Sequence, residues 1–414
     1  MDQNVIFSLG LGLTSPWTVT EQRLDMEKSP HELHLRIAAE RGALFHCPEC
    51  GDLCKAHDFT ELTWRHLNFF QHHCYITAPV PRTNCDKHGI KRINVPWARE
   101  GSHFTLLFEQ AALTLVREMP VRTAARFMQV TDNRIWRIIA FYVNRAVQKL
   151  DLSNLKALSL DETKAKRHHR YVTVFVDLDR KEKPVVFATP GKGKDTVLKF
   201  KEFLLAHGGS AEKVLEVVSD MSGAFVSAIK THFKEAELTV DWFHVVQLFT
   251  RAVDEVRRTE AKVLKMPKTT RWAVLKSAAG ELTEKQIDAL AELAVLDLHT
   301  STAWRVKEAL RWIRKAPSEQ AAKWRLTSFL NYAKELIGQE PTLAPVKKAI
   351  NTVEKFRNSI EARWRSSHSN GRIEGLNSFF QAARIKARGY RNLQTFINMI
   401  YLIGAPIQGL LKST

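Results

Sequence analysis

Two sets of side chains have the types and spacing to do chemistry. The first is acidic. Asp161 closes the mostly apolar, strand-like start of residues 157–164, and Asp220 follows the strand-like stretch 214–219. Glu374 falls in the first turn of an expected helix, where Glu374, Asn377 and Gln381 share a face at three- to four-residue spacing. A strand end is a rigid mount for a metal ligand, and carboxylates suit hard cations such as Mg²⁺. Three such acids can form one metal site although they lie far apart in the chain. The second set is soft. Cys47 and Cys50 are two residues apart and followed by Gly51; Cys85 and His88 repeat that spacing and are followed by Gly89. A tight turn after each pair lets both members reach one ion, the pattern of a structural zinc site.

The composition frames both sets. The chain has 414 residues, 44% hydrophobic and 26% charged, which suits a folded protein of two to four domains. Its net charge of +18 points to a polyanion, nucleic acid being the commonest. The apolar runs fall short of the roughly 18 residues that cross a bilayer, so no membrane role is expected. With no basic-then-apolar leader, a cytoplasmic location is expected. The five cysteines all lie before residue 86, too clustered for a disulfide framework in a chain this long. Cys54 could compete as a zinc ligand, whereas Cys74, in a strand-like run, reads as core.

Residues 17–25 and 32–39 alternate around a turn and read as a hairpin; strand-like sequence at 62–80 joins the two knuckles. His72 and His73 read as surface or DNA-facing groups. Residues 104–118, 121–128 and 133–150 have helical periodicity, and 129–132 reads as a tight turn with Thr131 or Asp132 as cap. Short helix, turn and longer helix is the helix-turn-helix plan, which puts Asn133, Arg134 and Arg137 where bases are read. An ordinary three-helix connector has the same pattern.

Beyond Asp161, strands are expected at 170–177 and 184–189, a helix at 195–207, a strand at 214–219, a helix at 223–234 and a strand at 238–242. Three antiparallel strands, then helix, strand, helix, strand is the order of the RNase H fold. Asp241 and His244 close the last strand, either as a strand end with a helix cap or as groups supporting the acids. Residues 245–364 are almost wholly helical and would form an insertion before the helix of Glu374, capped by Ser369 or Asn370. Trp304, Trp312 and Trp324 in that stretch read as core rather than as stacking platforms. The basic run Arg384, Lys386, Arg388 and Arg391 is either a solvated helix end or a phosphate-tracking surface.

Taken in order, the ribbon pairs, the helix-turn-helix, Leu160-Asp-Glu162, Val218-Ser-Asp-Met221, Asp241-Trp-Phe-His244, Ile373-Glu-Gly-Leu-Asn377 and residues 386–391 resemble the DDE transposases of bacterial insertion sequences, the ISL-three family in particular. His88 stands where many relatives are expected to carry Cys, and zinc accepts either. The resemblance implies a multidomain chain: ribbon at 1–100, helix-turn-helix at 101–152, and an RNase H-like domain with a mixed five-stranded sheet at 153–248 and 367–414. An all-helical insertion at 249–366 interrupts that domain. It implies a catalytic triad of Asp161, Asp220 and Glu374, with Asp241 and His244 in support. Two Mg²⁺ or Mn²⁺ ions would be bridged by Asp161 and held singly by Asp220 and Glu374, and one structural Zn²⁺ by the ribbon. The expected partners are the terminal inverted repeats and target DNA at the bacterial nucleoid, bound by a homodimer. Competing readings are a regulator derived from a transposase, another RNase H-like nuclease such as a resolvase, and a zinc-dependent hydrolase.

Overall fold

A computed structural model gives the fold. It describes residues 3–166, 170–264, 266, 268–276, 282–295, 298–366, 368 and 371–406. The expected cap at Ser369 or Asn370 lies outside the described residues. The chain divides into two compact units, one ending at Tyr142 and the other beginning at Val143.

In the first unit a short helix, α1 (Gln3–Gly10), precedes six strands: β1 (Trp17–Asp25), β2 (Glu32–Ala39), β3 (Leu44–His46), β4 (Leu53–Phe69), β5 (His72–Cys85) and β6 (Gly89–Arg92). They pair in the order β1-β2-β5-β4-β3, with β6 on β5. β1 and β2 form the antiparallel hairpin that their alternation predicts. β4 and β5 form a second hairpin, longer than the 62–80 stretch suggests, and β5 buries alternate residues such as Cys74, Ile76 and Ala78. Trp17 and Trp64 each meet Trp97 edge-on in the core of this sheet. Three helices follow: α2 (Leu106–Glu118), α3 (Val121–Phe127) and α4 (Asp132–Gln148). Thr105 caps α2, its hydroxyl accepting from Phe108 N–H. Buried Glu109 on α2 gathers Arg99, Ser102 and Tyr142 around its carboxylate, at 2.7–2.9 Å, and so ties α2 to α4.

In the second unit β7 (Ala157–Lys166), β8 (Arg170–Asp177), β9 (Val185–Pro190), β10 (Glu216–Ser219) and β11 (Glu237–Val240) form one sheet in the order β11-β10-β7-β8-β9. β7, β8 and β9 are antiparallel neighbours; β10 lies parallel to both β7 and β11. The crossovers are α5 (Lys194–Ala206) and α6 (Gly223–His232). Phe175 on the sheet stacks on Phe200 of α5 with ring centroids 4.5 Å apart. Asp161 is not a strand terminus, as 157–164 suggests; β7 runs on to Lys166. What ends nearby is its parallel neighbour: β10 stops at Ser219, one residue past its last pairing with β7.

From β11 the chain enters α7 (Trp242–Glu260), α8 (Lys268–Leu275), α9 (Glu284–Val295), α10 (His299–Arg314), α11 (Glu319–Ile337), α12 (Ala344–Lys355) and α13 (Arg357–Glu361), then α14 (Gly371–Lys386) and α15 (Leu393–Gly404). The helices between β11 and α14 share one continuous core with the sheet: Leu158, Phe200 and Val217 belong to the same buried cluster as Phe249, Leu310, Phe329 and Ile350. The expectation that the tryptophans are core holds for Trp304, which packs against that cluster. Trp312 and Trp324 are 41% and 63% exposed. The buried stripe of α10 is Ala303, Val306, Leu310 and Ile313, and Trp312 falls off it.

Candidate metal centres and nucleic-acid interface

The soft site is built by turns. Gly51 and Gly89 have φ of +79° and +66°, a left-handed conformation that costs glycine nothing, and each lets the chain fold back directly after a ligand pair. Gly51 N–H donates to Cys47 C=O at 2.9 Å, closing the first knuckle. Ligand atoms of Cys47, Cys50, Cys85 and His88 all lie within 4.8 Å of one another. Cys50 and Cys85 sulfurs are 3.6 Å apart, and His88 Nδ1 is 3.7 Å from both Cys47 and Cys85 sulfurs. Ligands bound tetrahedrally to zinc at their usual bond lengths sit roughly 3.5–3.8 Å apart, so this set fits the ion. Backbone N–H groups hold the Cys47 and Cys85 thiols below their ordinary range, while at Cys50 the Asp52 N–H is outweighed by burial and by the neighbouring thiols of Cys85 and Cys47, which push it up to about 12, so zinc would have to displace that proton. Cys54 turns away to the Asp52 carbonyl, 3.5 Å off, and Cys74 is buried, so neither leftover thiol joins the set.

The acidic site is built by register. Ser159, Val218 and Thr239 pair across β7, β10 and β11. Asp161, Asp220 and Asp241 each lie two residues beyond that row, so three acids sit at the carboxyl edge of three parallel strands. This edge is where open α/β sheets place their ligands. Asp220 turns back to accept Ser222 N–H at 2.9 Å. Asp241 is not the end of β11 but the N-cap of α7, accepting from Phe243 N–H at 3.4 Å. Glu374 arrives on α14, which docks along β7: Asn377 Nδ2 donates to Asp161 Oδ2 at 2.7 Å, and Gln381 Nε2 to Thr163 Oγ1 at 2.8 Å and Lys164 C=O at 3.0 Å. Gln381 in turn holds Arg384 at 2.8 Å.

The electrostatics show crowding. Burial pushes the Asp161 carboxyl up; Glu162 N–H and His244 oppose the shift, and Asp220 and Asp241 add to it. Burial, then Asp241 and Asp161, push Glu374 up to about 7. Glu374 Oε1, Asp241 Oδ2, His244 Nε2 and Asn377 Oδ1 are buried without a hydrogen-bond partner among the described residues. Leaving a buried polar atom unpaired costs about 1–3 kcal/mol, and a divalent cation would satisfy the oxygens, so the residues present fit one. Among the described residues the acids do not converge within 4.8 Å as the Cys/His set does. Sequence reasoning gave no role to Glu162. Its carboxyl is pushed up to about 7 by burial and by Asp220, with Lys192 opposing. Strand alternation turns it to the face opposite Asp161, and the adjacency of two acids in a buried strand was the available signal.

Asn133, Arg134 and Arg137 are exposed at the start of α4, opposite buried Ile135, Ile138 and Ile139. Lys386, Arg388 and Arg391 are exposed around the end of α14, where Arg388 and Gly389 have φ of +57° and +93° and turn the chain. No helix among the described residues is long and apolar enough to cross a membrane.

Comparison with known proteins agrees with this layout. A zinc-finger model of the transposases of IS204, IS1001, IS1096 and IS1165 matches residues 43–88, and the helix-turn-helix model of transposase family ISL3 matches 93–143. The ISL3 DDE transposase model matches 158–400. The transposase of IS1001 from Bordetella parapertussis is 26% identical over 84% of this chain and 86% of its own length. That of IS1557 from Mycobacterium tuberculosis is 26% identical over 89% and 87%. With a zinc ribbon, a helix-turn-helix and the matched DDE domain in this order, the chain belongs to the ISL3 family of DDE transposases.

Proposed function

We propose that this chain binds the terminal inverted repeats of its insertion sequence, cleaves the ends and joins the freed 3′-hydroxyls to target DNA. One observation carries the reading: an acid stands at the same height on or just after each of three parallel strands, and helix α14, which carries Glu374, docks on Asp161 through Asn377. The strand order and the position of the acids support an RNase H-like catalytic domain at 153–248 and 367–414, interrupted by the helices of 249–366. The ribbon (1–100) and helix-turn-helix (101–152) serve recognition.

Asp161, Asp220 and Glu374 are the residues that would hold two divalent ions, Mg²⁺ or Mn²⁺. When bound, such ions supply positive charge at both the attacking and the leaving oxygen of an in-line phosphoryl displacement. Asp241 and His244 back the site. Arg384, Lys386, Arg388 and Arg391 neutralise DNA phosphates, while Asn133, Arg134 and Arg137 read bases in the repeats. Water attacks the phosphorus at the element end and the 3′-oxygen leaves with a proton. That 3′-hydroxyl then attacks a target phosphodiester and becomes joined to the target 5′-phosphate as the target 3′-oxygen leaves with the proton, and no covalent enzyme intermediate is needed. An element has two ends, so a homodimer bridging them at the nucleoid is the working assembly.

The test is plasmid excision of an element bearing the native flanking repeats, by wild type and by Glu374→Ala. Excision by the wild type alone is expected. Equal excision by both removes Glu374 from the site. No excision by either, with repeat binding intact, makes the chain a DNA-binding regulator instead.

A further inference from the structure

Asn377 occupies a constrained position. Its Nδ2 donates to Asp161 Oδ2 at 2.7 Å. A carboxylate only accepts, so the NH₂ end of the amide must face Asp161 and the carbonyl end must face away. A flipped amide would set oxygen against oxygen. The carbonyl Oδ1 is thereby fixed, and it is buried with no partner among the described residues. It shares that condition with Glu374 Oε1, Asp241 Oδ2 and His244 Nε2. Asn377 touches Asp161 directly, and Asp161 and Asp241 both act on Glu374, so the four side chains are neighbours at this edge. Glu374 and Asn377 are one helical turn apart on α14, on the face that Gln381 continues along β7.

We propose that Asn377 is a further residue of the metal site: its Nδ2 fixes the Asp161 carboxylate, and its Oδ1 is a neutral ligand for the cation that Glu374 holds. Amide oxygens suit Mg²⁺ and Mn²⁺ as carboxylates do, and a neutral one adds no charge to an edge already crowded with acids. The inference rests on the reading of Asp161 and Glu374 as metal-holding acids.

The test is Mn²⁺ binding to the full chain without DNA, followed by electron paramagnetic resonance of the free ion, with the Mg²⁺ dependence of end cleavage alongside. Asn377→Ala is expected to weaken Mn²⁺ binding about 10–100-fold and to raise the half-maximal Mg²⁺ concentration in parallel. Repeat binding should not change. Asn377→Asp keeps an oxygen at the ligand position but sets a carboxylate against Asp161, so relative to Asn377→Ala its metal-free stability should fall while its Mn²⁺ affinity rises, an opposite movement that a pure packing role does not predict. Mn²⁺ affinity of Asn377→Ala within two-fold of wild type, beside a large loss in Glu374→Gln, overturns the inference and leaves the acids in place. If Glu374→Gln and Asp161→Asn also bind Mn²⁺ like wild type, the acidic site itself is misassigned and the role of Asn377 falls with it.

Discussion

The Cys/His site and the acidic site are both fitted to metal, and they are built in opposite ways. In the ribbon the ligands come as two local pairs, each on a glycine turn, and their atoms converge within 4.8 Å. At the sheet the acids come from one row across β7, β10 and β11 and from one helix. Asn377 and Asp161, which touch, are 216 residues apart in the chain. In the ribbon, backbone N–H groups hold two of the thiols, Cys47 and Cys85, low, and only Cys50 is pushed up. The carboxyls of Asp161 and Glu374 are pushed up by burial and by neighbouring acids. A structural site closes on its ion and gains stability from it; a catalytic site keeps unpaired, mutually repelling groups at an open edge.

If that contrast is right, removing zinc has the largest effect. Structural zinc contributes about 10–16 kcal/mol of apparent binding free energy in small zinc domains, because the site does not exist in the unfolded chain. Cys47→Ser or a strong chelator should melt the ribbon and abolish repeat binding, read by gel shift and by calorimetry. A chelated chain that still binds repeats with an unchanged melting profile breaks the comparison on the ribbon side.

The acidic edge should respond in the other direction: losing an acid destroys function but relieves the fold. Asp161→Asn is expected to lower end cleavage about 10³-fold or more, on the scale of losing a catalytic group, and to leave repeat binding intact. Glu374→Gln should raise metal-free stability at neutral pH by about 1 kcal/mol once solvent screening is allowed for. The sign follows from the shift. Glu374 ionises near 4.5 unfolded and near 7 folded, so the fold is not penalised below pH 4.5. The penalty grows as pH rises to about 7 and then stays constant. The stability gap between Glu374→Gln and wild type, measured by denaturant titration with chelator present, should open over that window. A gap that does not vary with pH would remove the repulsion from the account.

The same contrast explains what could be read in the sequence. The ribbon was legible because each ligand pair carries its own spacing and turn residue within five positions. Most strands and helices of the second unit were legible too, since buried strands such as β8 and amphipathic helices such as α7 have clear periods. The row that aligns Asp161, Asp220 and Asp241 was not, because it depends on register between strands that are distant in sequence. Asp161 looked terminal because its polar successors resemble a strand end, yet β8 pairs with β7 beyond it. Trp312 and Trp324 looked like core because their spacing is helical, but spacing does not say which stripe faces inward. The orphaned Asn377 oxygen was invisible for a similar reason: it exists only once α14 is docked on β7.

Docking of α14 also gives a smaller effect, a stabilising one at low pH that fades with the same slope, since both groups have raised pKa values. At its foot His368 donates from Nδ1 to Glu216 at 2.9 Å and from Nε2 to Asp179 at 3.1 Å, while Arg372 reaches the carbonyls of Leu178, Arg180 and Lys181. Burial alone would lower the His368 pKa, but the two carboxylates raise it. A raised histidine stabilises fully below its unfolded value of 6.5 and loses that contribution as pH rises through the folded value. His368→Ala should therefore cost about 0.5–1 kcal/mol at pH 6, allowing for its partial exposure, and less at pH 9. Equal costs at the two pH values would show that the imidazolium is not what holds the foot of α14.

The smallest effect sharpens the contrast from the ribbon side. Lys87, between the ligands Cys85 and His88, pairs with Asp52 at 2.9 Å, with both side chains more than half exposed. Its position invites the idea that charge pairing helps gather the knuckles. Physically it should not: an exposed pair gives up side-chain entropy for a screened attraction, and the turns at Gly51 and Gly89 already set the ligand spacing. Lys87→Ala is expected to leave zinc affinity within about two-fold and the melting temperature within error, in low and high salt alike. A salt-sensitive fall in zinc affinity would mean that the ribbon, like the acidic edge, depends on the field of its neighbours, and the division between a site set by backbone and a site set by charge would have to be redrawn.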